Sequence, residues 1–175
     1  MTSLHDGKKT NNRLTPKWTL KLEEACGQVG KRARQAELMM HKEINSWANF
    51  KSEDFESNKE YQLLGRDISI KKINWNRDYY IDVKANLHRG TFCVELNNKG
   101  WLFNPKKISD RICHVDVDEG WYVMYNRQDM KNYLIGKTKV RIIQKKTDTP
   151  DLAIFPMSVW KYSTLPFQFQ SGRCK

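Results

Sequence analysis

The chain lacks the sequence patterns that define several common protein classes. Its cysteines are few and form no CxxC pair, which argues against a zinc ribbon or a dense disulfide framework. A glycine-rich phosphate-binding loop, a GxSxG nucleophile motif and a recognisable Cys–His pair are also missing. We expect Cys93 and Cys113, which lie in apolar strand patterns, to be buried, reduced thiols.

Long apolar runs are absent as well. No segment is apolar enough over the length needed to span a bilayer, and residues 1–17 lack the apolar stretch of a signal peptide. The sequence therefore predicts a soluble, cytoplasmic protein.

Acidic residues are scarce relative to basic ones. The 175 residues include 31 Lys and Arg but only 20 Asp and Glu, a formal net charge of +11. Such an excess of basic residues favours a polyanionic partner, and among polyanions we expect nucleic acid. Charge alone leaves ribosomal and capsid-type proteins as alternatives.

The length indicates one main domain. Residues 1–15 are polar and basic, so we expect a disordered tail. Residues 16–147 are expected to form the folded domain, and 148–175, interrupted by prolines, an irregular extension. The aromatic residues of that extension either pack over the core or present their faces to unpaired bases.

A long helix is expected after Pro16, with a break expected near its two glycines. Its second half carries an apolar stripe, and Glu37 falls on that stripe while Glu43 is expected to face solvent. A carboxylate on a buried face is costly unless it is paired. We therefore expect Glu37 to face the sheet and join a functional site; the alternative is an ion pair with a basic neighbour such as His41. The residues of the stripe are Ala33, Met40, Ile44 and Trp47.

The run from Gly65 to Leu87 predicts a β-hairpin. Side chains alternate along a strand, so Asp82 and Lys84 point to one face while Ile81 and Val83 point to the other. The turn between the two strands places Asp82 and Lys84 next to the first strand, which carries Asp67. Two carboxylates and an ammonium converging on one place suit a hard divalent cation and metal-assisted attack on a phosphodiester.

The remaining pattern predicts an α/β fold, with a central mixed sheet, the first long helix on one side and shorter helices on the other. Glu95, in the strand after the hairpin, is either a second acid of the site or a structural partner of Lys84. The other predicted elements are strands over 91–96, 111–118, 121–125 and 137–145, and helices over 105–108 and 127–134.

A helix carrying an acid, followed by this hairpin, resembles the PD-(D/E)XK nuclease superfamily with its restriction-endonuclease-like core. The matching residues are Gly65-Arg66-Asp67 and Ile81-Asp82-Val83-Lys84, and the chain is most similar to small phage-encoded members over roughly residues 30 to 135. In a phage-encoded protein, the expected location is the host cytoplasm. Two positions depart from the pattern, because Arg66 replaces the proline and Asp82 replaces the commoner glutamate.

The resemblance implies a metal-dependent deoxyribonuclease, most typically an endonuclease. It assigns Asp67, Asp82 and the carbonyl of Val83 to Mg²⁺ or Mn²⁺, and a catalytic role to Lys84, which orients or deprotonates water or neutralises charge. An ammonium beside two acids tends to stay protonated, so we favour the electrostatic role. Glu37 would complete the catalytic set.

DNA is the expected partner, and pairing of two copies would suit cleavage of both strands. The candidate phosphate contacts are His88, Arg89, Lys71 and Lys72. Two alternatives stay open: a non-catalytic, basic nucleic-acid-binding protein on a degenerate nuclease fold, and a separate metal cluster of His114, Asp116 and Asp118 on one strand.

Overall fold

The structure is a computed structural model that describes residues 16–86, 91–96, 101–135, 141–143, 152–156 and 167–174. The expected disordered tail at 1–15 and the candidate contacts His88 and Arg89 lie outside the described residues. The chain divides into two compact units, residues 1–31 and 32–175. All the side chains discussed below as a candidate site belong to the second unit.

The described chain combines helices with a mixed β-sheet, so the α/β class is confirmed. The elements are α1 (Pro16–Ser46), β1 (Phe50–Lys51), α2 (Lys59–Leu63), β2 (Ile68–Lys72), β3 (Tyr79–Ala85), β4 (Thr91–Glu95), β5 (Arg111–Asp116), β6 (Trp121–Asn126), α3 (Arg127–Ile135), β7 (Arg141–Ile143), β8 (Leu152–Pro156) and β9 (Phe169–Arg173). The expected break in α1 does not occur, since a glycine inside a helix costs only about 1 kcal/mol relative to alanine and keeps its backbone hydrogen bonds.

The main sheet is mixed and has the strand order β1-β2-β3-β5-β6-β9. Strands β3 and β5 are parallel, with Asp82 opposite Ile112 and Lys84 opposite His114. The other neighbours in this sheet pair antiparallel. The hairpin predicted around Asp67 and Asp82 is present as β2 and β3, with Ile68 opposite Ile81.

A second sheet of three strands, in the order β4-β8-β7, differs from the single sheet expected. Strand β4 pairs with β8 rather than continuing the main sheet. The C-terminal residues expected to be irregular therefore contribute two strands, β8 here and β9 at the edge of the main sheet. Proline did not prevent this, because Pro156 is the last residue of β8, where a missing N–H is tolerated.

Two apolar clusters cover the two faces of the main sheet. On one face, Met40 and Ile44 of α1 pack with Ile81 and Val83. On the other, β4, β8, the 101–103 segment and Met130 of α3 pack against β5 and β6. The expectation that shorter helices alone cover this second face is wrong, because the small sheet contributes much of it. Since side chains alternate, Asp82 and Lys84 face this second layer.

The short helix expected over 105–108 is also absent, and turns occupy this segment. The reason lies in Arg127, the first residue of α3. Its guanidinium donates hydrogen bonds to the carbonyl oxygens of Trp101, Leu102, Asn104 and Lys107. Carbonyls directed at a side chain in this way are not arranged along a helix axis.

Candidate active site

Asp67 and Asp82 lie together at the start of the hairpin ladder. Asp67 directly precedes β2, and its backbone N–H donates to the carbonyl of Ile81 at 3.0 Å. Its carboxylate oxygen Oδ2 accepts a 2.7 Å hydrogen bond from the backbone N–H of Val83. Both aspartates are buried, and Asp82 is only 1% exposed. The hairpin pattern predicted this proximity.

Lys84 supplies the positive charge next to these acids. Its Nζ lies 2.5 Å from Oδ1 of Asp82 and 5.6 Å from the centre of the Trp101 ring. Burial lowers the pKa of Lys84, but attraction to Asp82, Asp67 and Glu95 outweighs it and leaves the pKa raised. The side chain therefore stays protonated at neutral pH.

The two carboxyl groups repel each other although Lys84 lies beside them. Burial, followed by repulsion from Asp82, raises the pKa of Asp67 to about 8. The Oδ2 atom of Asp82 is buried and has no hydrogen-bond partner among the described residues. An unsatisfied buried carboxylate oxygen is costly, so the arrangement favours a further cation at this point.

Gly65 keeps the approach to Asp82 open. Its φ of +72° is a left-handed conformation that suits glycine. A Cβ at this position would lie 3.3 Å from Oδ2 of Asp82 and 3.2 Å from Cδ of Lys107. The lack of a side chain therefore leaves room beside the carboxylate oxygen that has no partner.

Glu95 reaches the site from the second sheet. Its negative charge contributes to the raised pKa of Lys84, and its Oε2 accepts a 3.2 Å hydrogen bond from the backbone N–H of Trp101. Of the two roles expected for Glu95, these contacts agree with that of an electrostatic partner of Lys84.

Beside Lys84, on the neighbouring strand, lies a buried pair in which Nε2 of His114 is 2.8 Å from the hydroxyl of Tyr125. Burial, followed by the charge of Lys84, lowers the pKa of His114 to about 3. The imidazole is thus neutral and lies within the core. Its ring packs against those of Phe92 and Trp101.

The alternative metal cluster on this strand does not form, because its members have separate partners. Oδ1 of Asp116 accepts hydrogen bonds from the backbone N–H groups of Asp118 and Glu119, while the Asp118 carboxylate binds Arg32 at 2.9 Å. Within the described ranges, no group of three or more His, Cys, Asp or Glu side chains converges in a way that could hold a metal ion. Asp67 and Asp82 form a pair of carboxylates without a third such side chain among the described residues.

Glu37 is half-buried, but its partner is Arg34 at 3.0 Å. Arg34 also binds Asp54 at 2.6 Å and Glu56 at 2.8 Å. Burial, partly offset by Arg34, raises the pKa of Glu37. These contacts match the ion-pair alternative, although with Arg34 in place of His41, and the structure does not bring Glu37 into contact with Asp67 or Asp82.

The expectation that Glu43 faces solvent is wrong. Glu43 is 6% exposed, and its Oε1 accepts a 2.9 Å hydrogen bond from the indole N–H of Trp47. At 100° per residue, Glu37 and Glu43 lie about 60° to either side of Met40. The helical angle therefore places both at the border of the apolar stripe and does not separate them.

The lysines expected to contact DNA lie far along β2 from the aspartates. Lys71 forms an ion pair with Asp78 at 3.3 Å, and Nζ of Lys72 lies 5.7 Å from the centre of the Phe50 ring. Both are at the end of the strand opposite to Asp67.

Cys113 is buried, Cys93 is only half-buried, and neither is in a disulfide within the described part of the chain.

Comparison with protein-family models, with curated proteins and with solved structures finds no match for this chain. In the described part of the chain, no helix combines the length and the apolar character that crossing a membrane requires.

Sequence reasoning missed Lys107 and Arg127 as residues near the site. The side chain of Lys107 lies against Gly65, and its Nζ donates to the carbonyl of Gln62 at 3.2 Å. Arg127 is 5% exposed. Neither residue belongs to a motif with a recognisable spacing, so no sequence signal was available for them.

Proposed function

We propose that this chain is a metal-dependent nuclease that hydrolyses phosphodiester bonds of DNA, with Asp67, Asp82 and Lys84 as its central residues. The observation that carries the proposal is the buried Asp82 Oδ2 atom without a partner. It lies beside a second carboxylate and a protonated lysine. A PD-(D/E)XK-type core, including its small phage-encoded members, is the framework that this arrangement suggests.

The residues present fit Mg²⁺ or Mn²⁺. Asp67 and Asp82 would hold the ion together with the carbonyl oxygen of Val83. Mg²⁺ is commonly bound through one or two carboxylates with water and substrate phosphate completing its shell, so a third acid is not required. The space kept by Gly65 beside Asp82 supports the same assignment.

A bound divalent ion supplies an acidic water and stabilises negative charge on the phosphate. Lys84 stays protonated beside Asp82, so its contribution is electrostatic: it neutralises charge that develops as the phosphodiester bond breaks. Glu95 and Trp101 help to hold the ammonium in position. Asp67, bound to the Val83 N–H, keeps its carboxylate directed at the same place.

The net charge of +11 supports a polyanionic substrate, and the proposed nuclease site makes DNA our choice among polyanions. The test is incubation of supercoiled plasmid and of single-stranded DNA with the protein in Mg²⁺, Mn²⁺ or EDTA. We expect cleavage with either metal and none with EDTA. A circular plasmid has no ends, so nicked or linear product identifies an endonuclease, and direct conversion to linear product favours paired copies.

The alternative function is non-catalytic binding of nucleic acid. The specific observation in its favour is that no third acid joins Asp67 and Asp82 among the described residues. Plasmid that binds the protein but stays intact in both metals would establish this alternative and end the nuclease proposal.

A further inference from the structure

A polar cavity adjoins the candidate site on the side of Lys107. It has a volume of about 310 Å³ and lies between the segment before β5 and the first turns of α3. Because Lys107 also packs against Gly65 beside Asp82, the cavity and the carboxylate pair are neighbours. The residues of its wall used below are Lys107, Ser109, Asp110, Arg127, Gln128 and Lys131.

Positive charge dominates this cavity. Lys107, Arg127 and Lys131 all line it, against one acid, Asp110. The Asp110 carboxylate is already engaged, since one oxygen binds Arg77 at 2.9 Å and the other accepts from the backbone N–H of Tyr80 at 2.9 Å. The cavity therefore favours an anion.

Arg127 adds charge without adding free hydrogen-bond donors. Its described hydrogen bonds go to carbonyl oxygens, including those of Trp101 and Leu102, and none goes to a carboxylate. No acid of the cavity wall forms an ion pair with it, and the negative charge that acts on it is that of Asp82. Burial, followed by the charge of Arg127, lowers the pKa of Lys131, so two positive charges act on each other in this cavity.

Ser109 supplies a neutral donor to the same space. It is 5% exposed, and its Oγ is buried without a hydrogen-bond partner among the described residues. A buried hydroxyl without a partner costs about 1–3 kcal/mol. An oxygen of a bound anion would accept its hydrogen bond.

The N-terminus of α3 does not itself provide the anion site. The N–H of Arg127 donates to the carbonyl of Asp110, and the N–H of Gln128 donates to the side chain of Asn126 at 2.8 Å. The first backbone donors of the helix are thus satisfied. Recognition must come from the side chains of Lys131 and Ser109. Lys107 adds charge, although its Nζ already donates to the carbonyl of Gln62 at 3.2 Å.

We propose that this cavity binds one phosphate of the DNA backbone, next to the phosphate that is cleaved, and so positions the strand across Asp67 and Asp82. The proposal rests on DNA being the substrate of the nuclease proposed above. Lys107 and Lys131 supply the charge, and Ser109 donates to a phosphate oxygen.

The test compares Lys131→Gln and Ser109→Ala with the matched control Lys106→Gln, each in the full chain carrying Asp82→Asn to prevent cleavage. Lys106 is an exposed neighbour of Lys107 that does not line the cavity. DNA affinity is measured by fluorescence anisotropy over a range of salt concentrations. We expect Lys131→Gln to weaken binding about five-fold or more and to reduce the salt slope by about 0.7–0.9, the value for one lost phosphate contact.

Ser109→Ala should weaken DNA binding about three-fold without lowering Tm, because the substitution also removes a hydroxyl that has no partner in the free protein. Lys106→Gln should leave affinity and slope nearly unchanged. In parallel, inorganic phosphate should shift the backbone amide NMR signals of Ser109 and Gln128, and this shift should be lost in Lys131→Gln.

Equal affinities of Lys131→Gln and Lys106→Gln for DNA would overturn the proposal. If phosphate still shifted the signals in that case, the cavity would be a site for free phosphate or a small phosphate ester and not for the DNA backbone. Failure to bind DNA at all would overturn it too. Lys131→Gln could bind DNA more weakly than Lys106→Gln although the wild-type chain cleaves DNA with neither metal. That result would retain the phosphate site and reject the nuclease function.

Discussion

The backbone N–H of Val83 donates a 2.7 Å hydrogen bond to Oδ2 of Asp67. This bond attaches the residue just before β2 to the strand that carries Asp82 and Lys84. In a strand, the N–H and the C=O of one residue point to the same side, so the carbonyl of Val83 faces the edge where Asp67 lies. The hydrogen bond thereby holds the Asp67 carboxylate against the backbone of the strand that carries Asp82.

Replacing Asp82 by Asn should abolish cleavage and leave DNA binding largely intact. The substitution removes a proposed metal ligand, while the net positive charge that attracts phosphate increases. We expect the cleavage rate to fall at least about 100-fold, which corresponds to about 2.7 kcal/mol. Glu60→Gln, at an exposed residue of α2, makes the same charge change and should cleave normally. Equal rates for the two variants would remove Asp82 from the site.

Asp67→Asn should raise Tm at alkaline pH in EDTA. Because the folded pKa of Asp67 is raised from 3.8 to about 8, the folded state binds this proton more tightly than the unfolded state. Its contribution to stability is therefore full below pH 3.8 and is lost as pH rises towards 8. The variant lacks this loss, so its Tm should exceed that of the wild type above pH 8.

The expected difference is several degrees, since about 1 kcal/mol shifts Tm by roughly 2–4 °C in a domain of this size. Calorimetry across the pH range measures it. Parallel Tm–pH curves for the variant and the wild type would show that Asp67 titrates normally.

Addition of Mg²⁺ should raise the Tm of the wild type above its value in EDTA, and the rise should grow with metal concentration. A ligand that binds the folded state alone stabilises it by mass action, and here it also relieves the repulsion between Asp67 and Asp82. Asp82→Asn should show little of this rise. A rise of the same size in both proteins would mean that the ion binds elsewhere.

Glu37→Gln should keep most of the cleavage activity. The carboxylate of Glu37 binds Arg34, which also binds Asp54 and Glu56, so its loss weakens an ion-pair network and not the carboxylate pair. We expect cleavage within about three-fold of the wild type and a Tm change of a few degrees, as for a partly exposed ion pair. A loss of cleavage as large as that of Asp82→Asn would restore the sequence-based assignment of Glu37 to the site.

Gly65→Ala should lower both stability and cleavage. Alanine at a φ of +72° costs about 1–2 kcal/mol, and the new methyl group would press on Asp82 and Lys107. The control is Gly30→Ala, because Gly30 lies in α1 with nothing within 4 Å of the place that a new methyl group would take. That change should stabilise the protein by up to about 1 kcal/mol. Normal cleavage by Gly65→Ala would show that the space beside Asp82 is not needed.

The hairpin could be predicted because its information is local. Alternating side chains around Asp67, Asp82 and Lys84 place all three on one side of two adjacent strands, and only a short turn separates them. The same local reasoning correctly predicted β5, β6 and α3. It failed for Glu37 and Glu43, since two positions at about 60° on either side of one stripe are equivalent until a neighbour is known.

The sequence by itself determined the first long helix, most of the strands, the basic charge and the closeness of the two aspartates to Lys84. Only the tertiary structure decided that β4 pairs with β8 and that Glu95 thereby comes near Lys84. It also decided that Arg127 donates hydrogen bonds to carbonyl oxygens of the 101–107 segment. Residue periodicity reports which side of an element is apolar, whereas pairing between segments far apart in the chain depends on which surfaces bury each other best. No local pattern contains that choice.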